Sequence, residues 1–188
     1  MSAAVNAGKL DKPVQVLELR ETAAGVWEWA PVRRAWAGIT MQARTNLFSQ
    51  VGIGARDAAI VLRRQTLTLH NAIRWGTRHL FLTAITERGR GHLDVEAALV
   101  RVEAVRLRPD RNTAALTFPG VLTELYARHA QERPMSINEL GLALVVPKEI
   151  VLRPGCLVEA RGAAWEILVP HELDEFKNEY EIGRTVDL

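Results

Sequence analysis

The sequence predicts a mainly β protein, built from two small β-barrel or β-sandwich modules in tandem, each with a helical or irregular excursion. Three observations predict it. Short apolar runs with period-two alternation are separated by glycine-bearing turns. The pattern halts in an arginine-rich stretch near residue 101 and then restarts. And two distant stretches, "LTLHNAIRWGTRHLFLTAI" (67–85) and "LRPGCLVEARGAAWEILVP" (152–170), share a plan. In both, an apolar residue follows the leading Leu by six positions (Ile73, Val158), and a glycine comes next (Gly76, Gly162). His79 and Phe81 of the first are then matched by Trp165 and Ile167 of the second.

Residues 1–12 read as a flexible lead-in. "VQVLELR" and "GVWEWAPVRRAWAGI" read as a hairpin about "ETAAG", with Trp27 and Trp29 two apart on one face. "TMQARTNLFSQVGIG" is a polar, Gly-rich excursion, a short helix or irregular. In "RDAAIVLRRQTLTL", Ile60, Leu62, Leu67 and Leu69 suggest strands. Gly76 suits a tight hairpin because positive φ costs glycine little, and "RGRGH" turns the chain into "LDVEAALV". The first β-module is thus 13–100. The arginine-rich connection is 101–112, a solvated linker or one paired with carboxylates. The second, looser module is 113–188, with a helical segment at Ile137–Leu142 capped by Ser136 and Glu139, although "LGLALVVP" equally reads as the start of a buried strand, and periodicity does not separate the two. It continues with a hairpin about Gly162, a polar loop "HELDEFKNE" and a closing strand.

Composition bounds the function. The apolar content, 48% of 188 residues, suits a packed core and argues against long disorder. No apolar run approaches the roughly 20 residues of a membrane-spanning helix, and "MSAAVNAGKLDKP" lacks a signal-peptide centre, so synthesis in the cytoplasm is expected. The single cysteine, Cys156, cannot form an intramolecular disulfide and reads as a packed thiol.

Chemistry is sparse. His70, His79, His92, His129 and His171 make no i, i+4 pair or zinc-spaced cluster, and "HELDEF" lacks the second histidine of a zincin motif. "GIGARDA" lacks the third glycine of a dinucleotide loop. Asp174 and Glu175 fall in a polar loop. No catalytic residue, metal ligand or cofactor site is assigned, and an enzyme is not expected. Trp27, Trp36, Trp75 and Trp165 read as strand residues packing in small cores. Their sharper use, as base-stacking platforms among arginines, would need "RRAWAG" and "IRWGTR" to be exposed on one face.

The stretch from Val14 to Ile85 resembles the head–tail joining (head-completion, adaptor or stopper) proteins of tailed bacteriophages. The residues that carry the resemblance begin with an opening strand from Pro13 to Arg20, then Trp27 after a glycine turn, then the step Ala35, Trp36, Ala37. A polar excursion with Phe48 follows, then "AIVLRRQ", then the hairpin from Arg74 to Phe81. His79 departs from the family by standing where an aromatic is usual. The resemblance implies a catalysis-free ring subunit in the virion neck, closing the filled head, retaining DNA and docking the tail. It implies a cyclic homo-oligomer of six or twelve copies, with the portal and a tail-side neck or tail terminator protein as partners. Double-stranded genomic DNA would pass through the lumen without sequence-specific contacts, and no membrane is involved. A sheet edge or a long loop would make the subunit contact, and Gln42, Arg44, Asn46, Phe48, Gln50 and Arg56 are the expected interface residues. Arg33, Arg34, Arg74 and Arg78 are the expected DNA-facing residues. The alternatives are a tail terminator or tail-tube ring protein of the same particle, or a free-standing nucleic-acid-binding β-barrel.

Overall fold

In the computed structural model, the described residues are 9–41, 56–111, 113–125 and 141–185. They contain twelve strands and no α-helix. The strands of the first half are β1 (Lys12–Ala23), β2 (Val26–Met41), β3 (Arg56–Arg63), β4 (Ala72–Trp75), β5 (Arg78–Arg88) and β6 (His92–Val100). Those of the second are β7 (Glu103–Leu107), β8 (Leu116–Leu125), β9 (Gly141–Pro147), β10 (Leu157–Ala160), β11 (Ala163–His171) and β12 (Lys177–Arg184). The chain forms two compact units. Of the described residues, one unit takes 9–20, 28–41 and 56–101, and the other takes 21–27 and 102–185.

In the first unit the strands pair in the order β1, β4, β5, β6, β3, β2, and β2 pairs back to β1. In the second the order is β7, β10, β11, β12, β9, β8, and β8 pairs back to β7. The two orders are the same permutation of six consecutive strands, and each closes into a ring. Closure removes the free edge that an open sheet would offer to other chains.

The register repeats as well. Arg63 ends β3 opposite His92, the first residue of β6, and Pro147 ends β9 opposite Lys177, the first of β12. Just beyond, Arg64 N–H donates to Gly91 O (2.8 Å) in one barrel and Lys148 N–H to Phe176 O (3.2 Å) in the other. At the hairpins, Trp75 faces Arg78 and Ala160 faces Ala163.

Alternation along each strand builds the cores. In the first barrel Ile60, Leu62, Ile73, Leu80, Leu82 and Val95 share one buried aliphatic cluster. In the second, Val105, Phe118, Leu144, Val146, Val158, Ile167 and Tyr180 are buried. Gly120 lies in this second core because a Cβ there would stand 2.8 Å from Leu144 Cδ1 and 2.9 Å from Val105 Cγ2. Cys156 is buried and free.

Several expectations are corrected. Residues 101–112 are more than a connection, since Glu103–Leu107 is β7: Val105 and Leu107 are buried while Arg106 between them is exposed, the alternation of a half-buried strand. Of the arginines in this stretch, Arg108, just past β7, meets Glu159 at 2.6 Å, and Glu103 at the start of β7 meets Arg161 at 3.0 Å. Of the helical segment expected at 137–142, the first four residues lie outside the described ones, and Gly141 and Leu142 belong to β9, where "ALVV" (143–146) packs as a continuous buried run, the strand alternative of the sequence. Leu67 and Leu69 lie between β3 and β4, not in a strand.

Gly76 and Gly162 do sit in two-residue hairpin turns with φ of 60° and 72°, yet they are not equivalent. Gly76 is the first turn residue, and its counterpart is Arg161, which has φ 52°. Ile73 therefore does match Val158, but Leu80, not His79, matches Trp165. Phe81 and Ile167 are both buried, but Phe81 lies on the face of β5 opposite Leu80, against His79 and Trp29.

Candidate functional site

On β2, Ala35, Ala37 and Ile39 pack on the aliphatic cluster, so pleating turns Arg34 and Trp36 the other way. Trp36 is 60% exposed, which overturns its expected place in a core. None of the other tryptophans is fully buried either. Trp36, Ala35 and Arg34 form the shared wall of two adjoining depressions. One runs to Leu10 and to Arg63, Arg64 and Gln65 at the end of β3. The other runs to Pro13, Val14 and Gln15 of β1, with Arg74 and Gly76 beyond. Together they make one groove, arginine-rich with an aromatic wall.

The arginines are not equally available. Arg64 pairs with Glu87 at 2.7 Å. Arg74 donates from Nε to Gln15 Oε1 at 2.9 Å and again from Nη2 to the same oxygen. Arg34 and Arg63 are exposed, and their side chains have no hydrogen bond or ion pair among the described residues. Of the four residues expected to face DNA, Arg34 and Arg74 thus enter the groove. Arg33 instead donates to Thr66 O, and Arg78 stacks its guanidinium 4.6 Å from the centre of the Trp75 ring. Arg56 is exposed at the start of β3, opposite Leu99. Gln42, Arg44, Asn46, Phe48 and Gln50 lie outside the described residues.

Trp36, Arg63 and Arg64 were not assigned from the sequence. The cue for Trp36 was its flanking alanines. In "AWA" on a strand, two small residues facing a crowded interior send the large one outward.

Two further clusters carry unusual electrostatics. Next to Arg74, whose cross-strand partner is His79, the rings of Trp29, His79 and Phe81 form an aromatic group with centres 5.3–6.0 Å apart. Burial, helped by the Arg74 charge, pushes the His79 pKa down to about 4, and neither Trp29 Nε1 nor His79 Nε2 has a hydrogen-bond partner.

In the second barrel the turn between β11 and β12 is held rigidly. Asp174 Oδ1 accepts from the backbone N–H of Phe176 (2.7 Å) and Lys177 (2.9 Å). Lys148 Nζ donates to the carbonyls of Glu172 (2.8 Å) and Asp174 (2.6 Å). The turn lifts Leu173 fully into solvent. Burial lowers the pKa of Lys177 and raises that of Glu179, where the nearby Asp174 charge adds to the rise. His171 pairs with Glu181 at 2.8 Å.

Among the described residues, no group of three or more His, Cys, Asp or Glu is placed to hold a metal ion, and no helix is long and apolar enough to cross a membrane. No protein-family model matches the chain, and neither a curated protein nor a solved structure does.

Proposed function

We propose that the chain is a structural neck (connector) protein of a tailed phage or prophage. Copies form a ring between portal and tail that closes the filled head, retains DNA and docks the tail. The observation that carries this reading is the repeated closed barrel. A barrel without free edges cannot recruit neighbours by adding strands, so its contacts must run through outward side chains and long connections. Each barrel has its longest connection in the same place: residues 42–55 join β2 to β3, and residues 126–140 join β8 to β9. Compact domains rarely carry stretches of that length between strands unless they have a task. Here the task is contact with the neighbouring copy and the portal, through Gln42, Arg44, Asn46, Phe48, Gln50 and Arg56, while DNA passes through the lumen. The partner on the opposite side is a tail-side neck or tail terminator protein.

Deleting 45–53 tests this. The variant should fold as the wild type does, by circular dichroism, and should fail to join heads to tails. Infectious, DNA-retaining particles made with it would sink the assignment. A second reading, a free-standing nucleic-acid-binding barrel, is favoured by one observation: Trp36, Arg34, Arg63 and Arg74 share a groove. Steep salt dependence of DNA affinity in the isolated monomer would support it over the neck reading.

A further inference from the structure

We infer that the Glu172–Phe176 turn of one copy docks in the Trp36 groove of the next, head to tail. The contact rests on the ring reading above and names the surfaces that would close it.

Three properties of the turn answer three properties of the groove. The turn is a protrusion fixed by bonds to Asp174 Oδ1 and from Lys148 Nζ, so docking it orders little that is not already ordered. The groove is a depression walled by strand residues. At the tip, Leu173 is 104% exposed, the most exposed large apolar side chain among the described residues, and the groove offers the exposed ring of Trp36. Beside the tip stands Glu175, exposed and without a hydrogen bond or ion pair among the described residues. Across from it would stand Arg34 and Arg63, which are equally unengaged.

A nucleic acid fits this groove less well. Electrostatic binding of a duplex rests on a track of some 6–10 phosphate contacts. The groove has two arginines free of side-chain partners, with Glu87 held close to a third. A short acidic turn with one apolar anchor needs no more than that. Turn and groove are different surfaces present once on every copy, so their union is heterologous, and a heterologous contact that closes makes a ring.

The test uses the full chain, followed by native mass spectrometry across protein and salt concentration. Wild type should associate, and less so as salt rises. Arg34→Glu and Glu175→Arg, each alone, should weaken association about tenfold or more. The two mixed should regain it, since an alternating array then pairs opposite charges at every junction. Both positions are exposed, so circular dichroism of each variant should match wild type. Single variants that associate like wild type, a mixture that stays dissociated, or a wild type that remains monomeric throughout would each overturn the contact. So would an Arg34→Glu that loses salt-dependent DNA binding and keeps full association. If the singles fail to associate yet still join heads to tails, the contact is wrong and the neck reading stands. If association follows the charge rule but wild type joins no heads to tails, the contact stands and the neck reading falls.

Discussion

Where the first barrel places Leu93 and Val95, opposite Leu62 and Ile60, the second places Asn178 and Tyr180, opposite Val146 and Leu144. All four are buried. Asn178 Nδ2 donates to the carbonyls of Lys148 (3.1 Å) and Ile150 (2.9 Å), and Tyr180 Oη accepts from Leu152 N–H (3.0 Å). These bonds hold the strandless stretch between β9 and β10. The matching stretch of the first barrel is tied by its own Asn71, whose Oδ1 accepts from Thr68 N–H (2.9 Å) and whose Nδ2 donates to Leu17 O (3.2 Å). One backbone problem, satisfying polar groups where ladder bonding stops, is thus solved from the barrel wall in one copy and from the connection in the other. The first core is free to be aliphatic, and the second is not.

The largest break in this comparison should come from exchanging the two solutions. Asn178→Leu takes the side-chain donor from the Lys148 carbonyl and one of two donors from the Ile150 carbonyl, which keeps Tyr180 Oη, and Leu93→Asn places an amide among aliphatic side chains. Each should cost about 3 kcal/mol in urea denaturation. A neutral result for either would mean that the cores are interchangeable.

A similar effect should follow from pH. His79 has its folded pKa near 4, below the ordinary 6.5. Below pH 6.5 the unfolded chain therefore takes up a proton that the folded chain refuses. Stability falls between pH 6.5 and 4, by up to about 3 kcal/mol, and levels off below that. The second barrel has Ala164 at the matching position, and its Glu179 works in the opposite sense. Burial raises the Glu179 pKa, so acid relieves a cost there. His79→Phe should flatten the loss between pH 6.5 and 4 relative to wild type. A parallel pair of stability curves would remove His79 as its source.

Gly120→Ala should cost about 2 kcal/mol, since the new methyl meets Leu144 and Val105 inside the second core. An unchanged melting temperature would mean that the core relaxes freely. The smallest effect concerns the hairpin turns. Arg161 is the one non-glycine with positive φ among the described residues. Arg161→Gly should stabilise by up to about 1 kcal/mol, less what its pairing with Glu103 contributes. Gly76→Ala should destabilise by about the same amount. Equal and opposite shifts would establish that the two turns differ only in which residue bears the strain.

Much of this was legible in the sequence because strand alternation is local. "AAIVL", "RHLFL" and the two glycine hairpins identify themselves by period and punctuation. What misled was also local. β7 is short and flanked by arginines, with Arg106 in its middle, so its alternation hides in a basic stretch. Distance from a glycine gives the wrong register because the two hairpins hold their glycines at different turn positions. Trp36 reads as a core residue because tryptophan usually contributes buried area, whereas the crowding that expels it comes from strands brought beside it only by the ring. Ring closure, and with it the meeting of Arg34, Arg63 and Arg74 from three strands, depends on pairings between residues far apart in the chain.

The tip of the first hairpin belongs to the second unit: Val26 pairs in parallel with Thr117, and Thr117 N–H donates to Gly25 O at 2.7 Å. On a ribosome this arrangement imposes a sequence in time. β1 to β6 are all synthesised by Val100, so the first ring can close while the second is still unmade. Residues 21–27 must wait for Thr117, about 1–3 seconds later at roughly 5–20 residues per second. During that interval a strand end with open backbone groups stands beside a finished barrel. A chain stalled before Thr117 would keep it open, and a protease should cut the nascent chain there first.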